Sequence, residues 1–330
     1  MNRIQKSRNL QIDTLRGIAC ILLVAYHVIG SSASVGLKIS DGLYRELNDI
    51  LAYIRMPLFT FLSGFVYAYR PFTDNPGKFI KGKVRRLLMP MVIVGTLFAV
   101  MQAWAPGSNS STQNWFLLHV IPVGHFWFIE AIFIIFMLII PLEIIGGISN
   151  LRNATIVFCL SIFLYSSNLD IPYFAISGAI YLLPFFLSGV ILQRFDFMSE
   201  ISVKMGVFIL IFITLILVLI YTELLVNDSK RTLVSLLIGI LGCIGLLSLK
   251  FESYFIARIG AYSYTIYLFH VFFTAGSRIV LTKLGYFELN VIIVASLLAG
   301  IIGPIILENI FDKYSSTRIL LLGKSKLKTV

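Results

Sequence analysis

The chain is 330 residues long, 58% hydrophobic and 13% charged, with 27 Lys and Arg against 16 Asp and Glu. Soluble domains carry about twice that charged fraction, and the apolar residues run along the whole length, so no soluble domain of useful size is left over. The basic excess is not gathered into a domain or stripe. It punctuates apolar runs, which points to a lipid bilayer and away from nucleic acid.

A helix needs about 20 apolar residues to cross the hydrocarbon layer. Apolar runs predict spans at about 12–32, 48–69, 87–105, 126–145, 154–167, 176–193, 205–222, 232–249, 259–278 and 291–311. The reading is an all-α integral membrane bundle of about ten helices. It forms one membrane-embedded domain over 1–330, with a basic tail at 312–330. Arg3, Lys6 and Arg8 before an apolar stretch resemble a signal peptide. Asp13 and Arg16 interrupt that pattern, so the first span is expected to stay uncleaved. With ten spans, the loops on the side of the termini hold nineteen Lys and Arg, the other side holds six, and Arg16 and Arg55 fall within spans. The positive-inside rule then places both termini in the cytoplasm. No loop is long enough to fold as a catalytic domain. Cys20, Cys159 and Cys243 lie in apolar runs without metal spacing and read as packing residues, so no metal is expected.

The first span carries Arg16 and His27 on one face. Eleven residues rotate the helix by about three turns plus 20° and advance it by about 16 Å, so the two share a side but cannot touch. Asp13 sits one turn before Arg16 and is placed to pair with it. An ionisable group at membrane depth is costly and usually functional, which singles out His27. The second span contains Arg55, Pro57, Ser63 and Gly64. Arg55 needs a partner, whereas Gly64 suits close helix packing. A basic stretch, Lys78 to Pro90, leads into the third span. Besides setting orientation, its Arg85 and Arg86 suit bidentate contacts to phosphates. The fourth span opens His125-Phe126-Trp127-Phe128, like an interfacial aromatic belt, and Glu130 one turn inside is a candidate partner for Arg55. His270 is a second deep histidine, in the ninth span, and Glu308 lies near the inner end of the last.

These residues resemble the membrane-bound acyltransferase 3 family of bacterial O-acyltransferases. The resemblance rests on Asp13-Thr14-Leu15-Arg16-Gly17 leading to His27 and on Pro57 through Ser63-Gly64-Phe65. It is supported by Arg85-Arg86-Leu87-Leu88-Met89-Pro90, by His125-Phe126-Trp127-Phe128 and by Tyr264 through His270. The motifs occur in family order across about positions 10 to 310. The resemblance implies a bacterial inner-membrane enzyme that moves an acyl group, usually acetyl, from cytoplasmic acyl-CoA to a sugar hydroxyl. The acceptor is commonly an O-antigen, capsule or exopolysaccharide unit, with polysaccharide-assembly proteins as candidate partners. His27 would be the catalytic residue and Arg16, with Asp13, would support the site. Arg85 and Arg86 match the family's basic motif, and a role for them in binding CoA is inferred from their chemistry. Lys83 stands where some relatives have Arg. Some relatives also carry a fused extracytoplasmic hydrolase-like domain. None is expected here, so the chain would act alone or with a separate partner. The alternative is a transporter or flippase for a sugar-lipid or small anion. The absence of a visible internal repeat weighs against it.

Overall fold

The computed structural model describes residues 9–72, 75–104, 114–227 and 229–325. Arg3, Lys6, Arg8, Lys326, Lys328 and part of the long loop near 106–125 lie outside the described residues. Among the described residues, the chain is helical without a β-strand: α1 (Leu10–Ile29), α2 (Leu43–Ala68), α3 (Pro76–Lys83), α4 (Met89–Trp104), α5 (Trp127–Ile144), α6 (Leu151–Ser166), α7 (Ile176–Arg194), α8 (Phe197–Glu200), α9 (Val203–Tyr221), α10 (Leu233–Ser248), α11 (Tyr254–Ala261), α12 (Ser263–Lys283), α13 (Leu289–Phe311) and α14 (Ser315–Leu320). Helices satisfy every interior backbone group within one segment, which lipid demands.

Each of the ten expected spans has a helix. Eight are long and apolar enough to cross a membrane, counting α3 and α4 as one run over Pro76–Trp104. The other two, α6 and α10, are apolar but have 16 residues each. Exposed apolar residues concentrate on outer helices such as α9, where Phe208, Ile211 and Leu215 project outward, as lipid-facing residues do. Cys20 and Cys243 are buried, whereas Cys159 is exposed on α6 and so is not a packing residue.

α1 lies inside the bundle, in contact with α2, α11, α12 and α13. The tightest pairing is α2 with α7. An added Cβ at Gly64 would run into the Phe186 carbonyl, and one at Gly189 into the Phe61 carbonyl. These two glycines let the backbones touch, as small residues do between membrane helices. The end of α1 is fixed from α2. The Gly30 amide closes the last turn onto the Tyr26 carbonyl, and Arg45 and Asn48 both donate to the Gly30 carbonyl, at 3.0 and 3.1 Å. Gly30 has φ +108°, and a Cβ there would strike the Val35 carbonyl. The turn that holds His27 in place therefore requires glycine.

Between α3 and α4 the helix widens into one π turn, Val84–Leu88. Pro90 is the local cause: its ring lacks an N–H and would clash with the carbonyl four residues earlier. A π turn relieves such a conflict, and here the Met89 amide reaches back five residues to Val84.

Candidate active site

Two cavities open on opposite faces of the bundle. The first, about 590 Å³, lies on the face that carries the start of α1 and the segment after α13. Its lining includes Arg16, Ser63, Arg85, Arg86, Arg318 and Lys324, with Phe128, Phe136, Tyr264 and Tyr267 on its walls. The π turn supplies Arg85 and Arg86, and α12 braces it through the Tyr264 hydroxyl, which donates to the Leu87 carbonyl at 2.9 Å. The Nε of Arg85 is buried without an acceptor. Arg16 donates to Asp13 at 3.3 Å, the pairing the spacing implied. Ser63 turns its hydroxyl back to the Phe59 carbonyl at 2.8 Å. Lys83 does not line the cavity. Its ammonium sits 3.1 Å from the centre of the Phe136 ring.

The floor of this cavity comes from the segment after α13. Arg318 pairs with Asp312 at 2.6 Å, and Lys324 pairs with Glu308 at 2.7 Å and Asp312 at 2.9 Å. Glu308 also accepts from Thr265. Gly323 lies so close to the backbone of Arg85 and Arg86 that a Cβ would collide with it. Burial alone would lower the Lys324 pKa, but the bonds to Glu308 and Asp312 outweigh it and raise it above the ordinary 10.5. A raised folded-state pKa gives stability that is complete below the unfolded value and is lost as pH rises through the folded one. Docking of this segment should therefore be flat from about pH 7 to about pH 9 and weaken only above the usual lysine range. Limited proteolysis of the C-terminal segment across that range checks this.

The second cavity, about 780 Å³, opens on the opposite face. Tyr26, His27, Gly30, Arg55, His125, Trp127, Tyr181, Lys230, Arg231, Tyr267 and Arg278 are among its lining residues. At its base three histidines from three elements converge. The ring of His27 lies 4.7 Å from that of His270 and 5.4 Å from that of His125, and His125 and His270 are 5.0 Å apart. His270 is fully buried and points its Nδ1 at the carbonyls of Ile266 and Tyr267, 2.8 and 2.9 Å away. The proton belongs on that nitrogen, which leaves Nε2 as the basic lone pair. The Nε2 atoms of both His125 and His270 are buried without a partner. His27 is the member of the three that stays partly open to the cavity. The rings meet edge to face, and among the described residues no group of His, Cys, Asp and Glu is arranged to hold a metal ion.

The expected pairing of Arg55 with Glu130 does not form. Arg55 donates to the Asn48 carbonyl at 2.9 Å and lies over the Tyr26 ring at 4.2 Å, while both carboxylate oxygens of Glu130 are buried without a hydrogen bond. Both residues sit near the same end of their spans, but the rotation of each helix turns them to different neighbours. His125 was legible in an aromatic belt and in a motif of the family resemblance, but not as a neighbour of His27. Its signal was positional: all four histidines in the chain fall toward one side of a ten-span topology. The fourth, His119, lies apart, with its Nε2 3.0 Å from the Thr96 hydroxyl.

One side chain lines both cavities beside the histidines. Tyr267 is buried, donates its hydroxyl to the His125 carbonyl, and is 5.6 Å from the His125 ring. Arg16 thus belongs to one cavity and His27 to the other, as their separation along α1 requires.

A family model described as an acyltransferase domain, that of acyltransferase 3, matches residues 9–309. No curated protein and no solved structure is significantly similar. The match runs from the residue before α1 almost to the end of α13 and takes in all three histidines and the lining of both cavities except the segment after α13. The chain belongs to the acyltransferase 3 family and is a multi-pass membrane acyltransferase.

Proposed function

We propose that the protein is a bacterial inner-membrane O-acetyltransferase. It takes the acetyl group of cytoplasmic acetyl-CoA and places it on a hydroxyl of a cell-surface polysaccharide or its lipid-linked sugar precursor. The observation that carries this reading is the pair of cavities that share Tyr267 as a lining residue, with His27, His125 and His270 clustered on the side of the second. One cavity is rich in arginine, and the other is lined by aromatic rings and a partly open imidazole. The distribution of Lys and Arg supports a cytoplasmic position for the termini, which puts the arginine-rich cavity on the side where acyl-CoA is found.

Arg16, Arg85 and Arg86 suit the phosphates of such a donor, since guanidinium groups bind phosphate oxygens in a bidentate fork. Arg318 and Lys324, paired with Asp312 and Glu308, complete the wall at the same mouth. Aromatic rings such as Trp127 and Tyr26 offer a sugar flat apolar faces on the other side. The neutral imidazole of His27 takes the proton of the acceptor hydroxyl as its oxygen attacks the thioester carbonyl. The C–S bond then breaks, and the CoA thiolate leaves and is protonated. Alternatively the imidazole is itself acylated, expels the thiolate, and passes the acyl group to the hydroxyl. His125 and His270 place two further imidazoles beside the His27 ring.

Two measurements test this. The NMR spectrum of the surface polysaccharide with and without the gene should differ by acetyl signals. Purified protein in nanodiscs should release CoA from acetyl-CoA and move labelled acetyl to membrane-extracted glycan. Solute uptake without any CoA release would overturn the reading in favour of transport.

A further inference from the structure

The cavity that opens opposite the termini is strongly basic, and the acyl-transfer reading alone does not require that. Arg55, Lys230, Arg231 and Arg278 line it, and no Asp or Glu does among the described residues. This is the side where cations are scarce. Of the six Lys and Arg assigned to its loops from the sequence, three (Lys230, Arg231 and Arg278) line this one cavity, and Arg55 joins them from within a span. Orientation in the membrane would be better served by removing them.

Their charges are held in place but not cancelled. Arg55 bonds only to the backbone and side-chain oxygens of Asn48, at 2.9 and 3.0 Å, and its buried Nε has no acceptor. Lys230 donates to the Asp49 main-chain carbonyl at 3.3 Å and sits 3.5 Å from the centre of the Tyr53 ring. Arg231 bonds to the carbonyls of Leu169 and Ser177. Every one of these partners is neutral. The Asp49 carboxylate is occupied by Arg45 and does not line the cavity. The Arg278 side chain has no hydrogen bond or ion pair among the described residues. In a cleft with low-dielectric walls, uncancelled cations focus a field that concentrates anions and repels cations.

We propose that this cavity takes an anionic sugar: the acceptor carries an oxyanion close to the hydroxyl that is modified. The proposal rests on the acyl-transfer reading for the word acceptor. The oxyanion has two chemical sources, a carboxylate on the sugar or the diphosphate that links the sugar to its lipid carrier. Arg278 is the cation best placed to receive it, having no other polar partner among the described residues. It lies on α12 two turns and a little beyond His270, so the anion would rest on the outward side of the imidazoles.

The test uses the full-length chain in nanodiscs without donor, so it does not depend on turnover. Affinities are measured for trigalacturonate and its neutral methyl ester, and for farnesyl diphosphate and farnesol. Either anionic probe should bind at least about tenfold more tightly than its neutral counterpart, and raising salt from about 50 to about 500 mM should weaken it. The pair that shows the preference identifies carboxylate or diphosphate as the source. Arg278→Gln should reduce the preference and Arg278→Lys should largely retain it. Equal binding within both pairs by the unsubstituted protein overturns the proposal, whatever the variants do. That result alongside CoA release from acetyl-CoA would leave the acyl-transfer reading standing. An anionic preference without donor turnover would keep the anion site and sink the acyl-transfer reading instead.

Discussion

His27→Ala protein should reach the membrane in normal amount and transfer acetyl at least ~10²- to 10⁴-fold more slowly, the usual contribution of a positioned acid–base group. Labelled acetyl recovered in glycan, with protein abundance measured in parallel, checks this. The folded state should survive because His27 is partly open to a cavity and caps no buried network. His125 and His270 are different. Both are buried, and His270 also bonds to the backbone of its own helix. Alanine at either should slow transfer through the position of His27 and also lower abundance. His27→Ala transferring acetyl at the normal rate would remove the imidazole from the mechanism altogether.

The second large effect belongs to the arginines of the π turn. Arg85→Ala and Arg86→Ala should each raise KM for acetyl-CoA by about 10- to 100-fold, since a hydrogen bond to a charged group contributes about 1.5–3 kcal/mol. kcat should change less, because the phosphates are remote from the thioester and are held alike in the ground and transition states. Lysine at either position should restore only part of the loss, keeping the charge but not the fork. Steady-state kinetics against acetyl-CoA separates these outcomes. A fall in kcat at unchanged KM would contradict a phosphate-binding role.

How far the sequence could be read depended on what kind of contact was asked for. Apolar runs predicted a helix at each of the ten positions, eight of them long and apolar enough to span, because the bilayer imposes length and polarity on each segment alone. Asp13, Arg16 and His27 were legible for a similar reason. They lie on one helix, so their relative height and face follow from helix geometry. What could not be read were contacts between helices. Depth put Arg55 and Glu130 at a similar height, but the rotation of each helix in the bundle decides its neighbours, and it places Arg55 over Tyr26. Arg318 and Lys324 read as an unremarkable basic tail. Their place in the arginine-rich cavity depends on Asp312, on Glu308 and on Gly323 lying against the π turn. His125 was hidden among aromatic neighbours, and only the assembled bundle brings it within 5.4 Å of His27.

The layer at Tyr267 has a bearing on bioenergetics. A protein with a hollow from each face and three imidazoles clustered beside the layer that parts them has the makings of a proton wire, and an energised membrane cannot tolerate one. Tyr267 occupies the position where the two hollows would otherwise join. Its hydroxyl is committed to the His125 carbonyl and is therefore not free to hand protons along. A buried ring beside the His125 imidazole and between the two hollows would keep the bilayer ion-tight, so that a route for an acyl group need not also be a leak for protons.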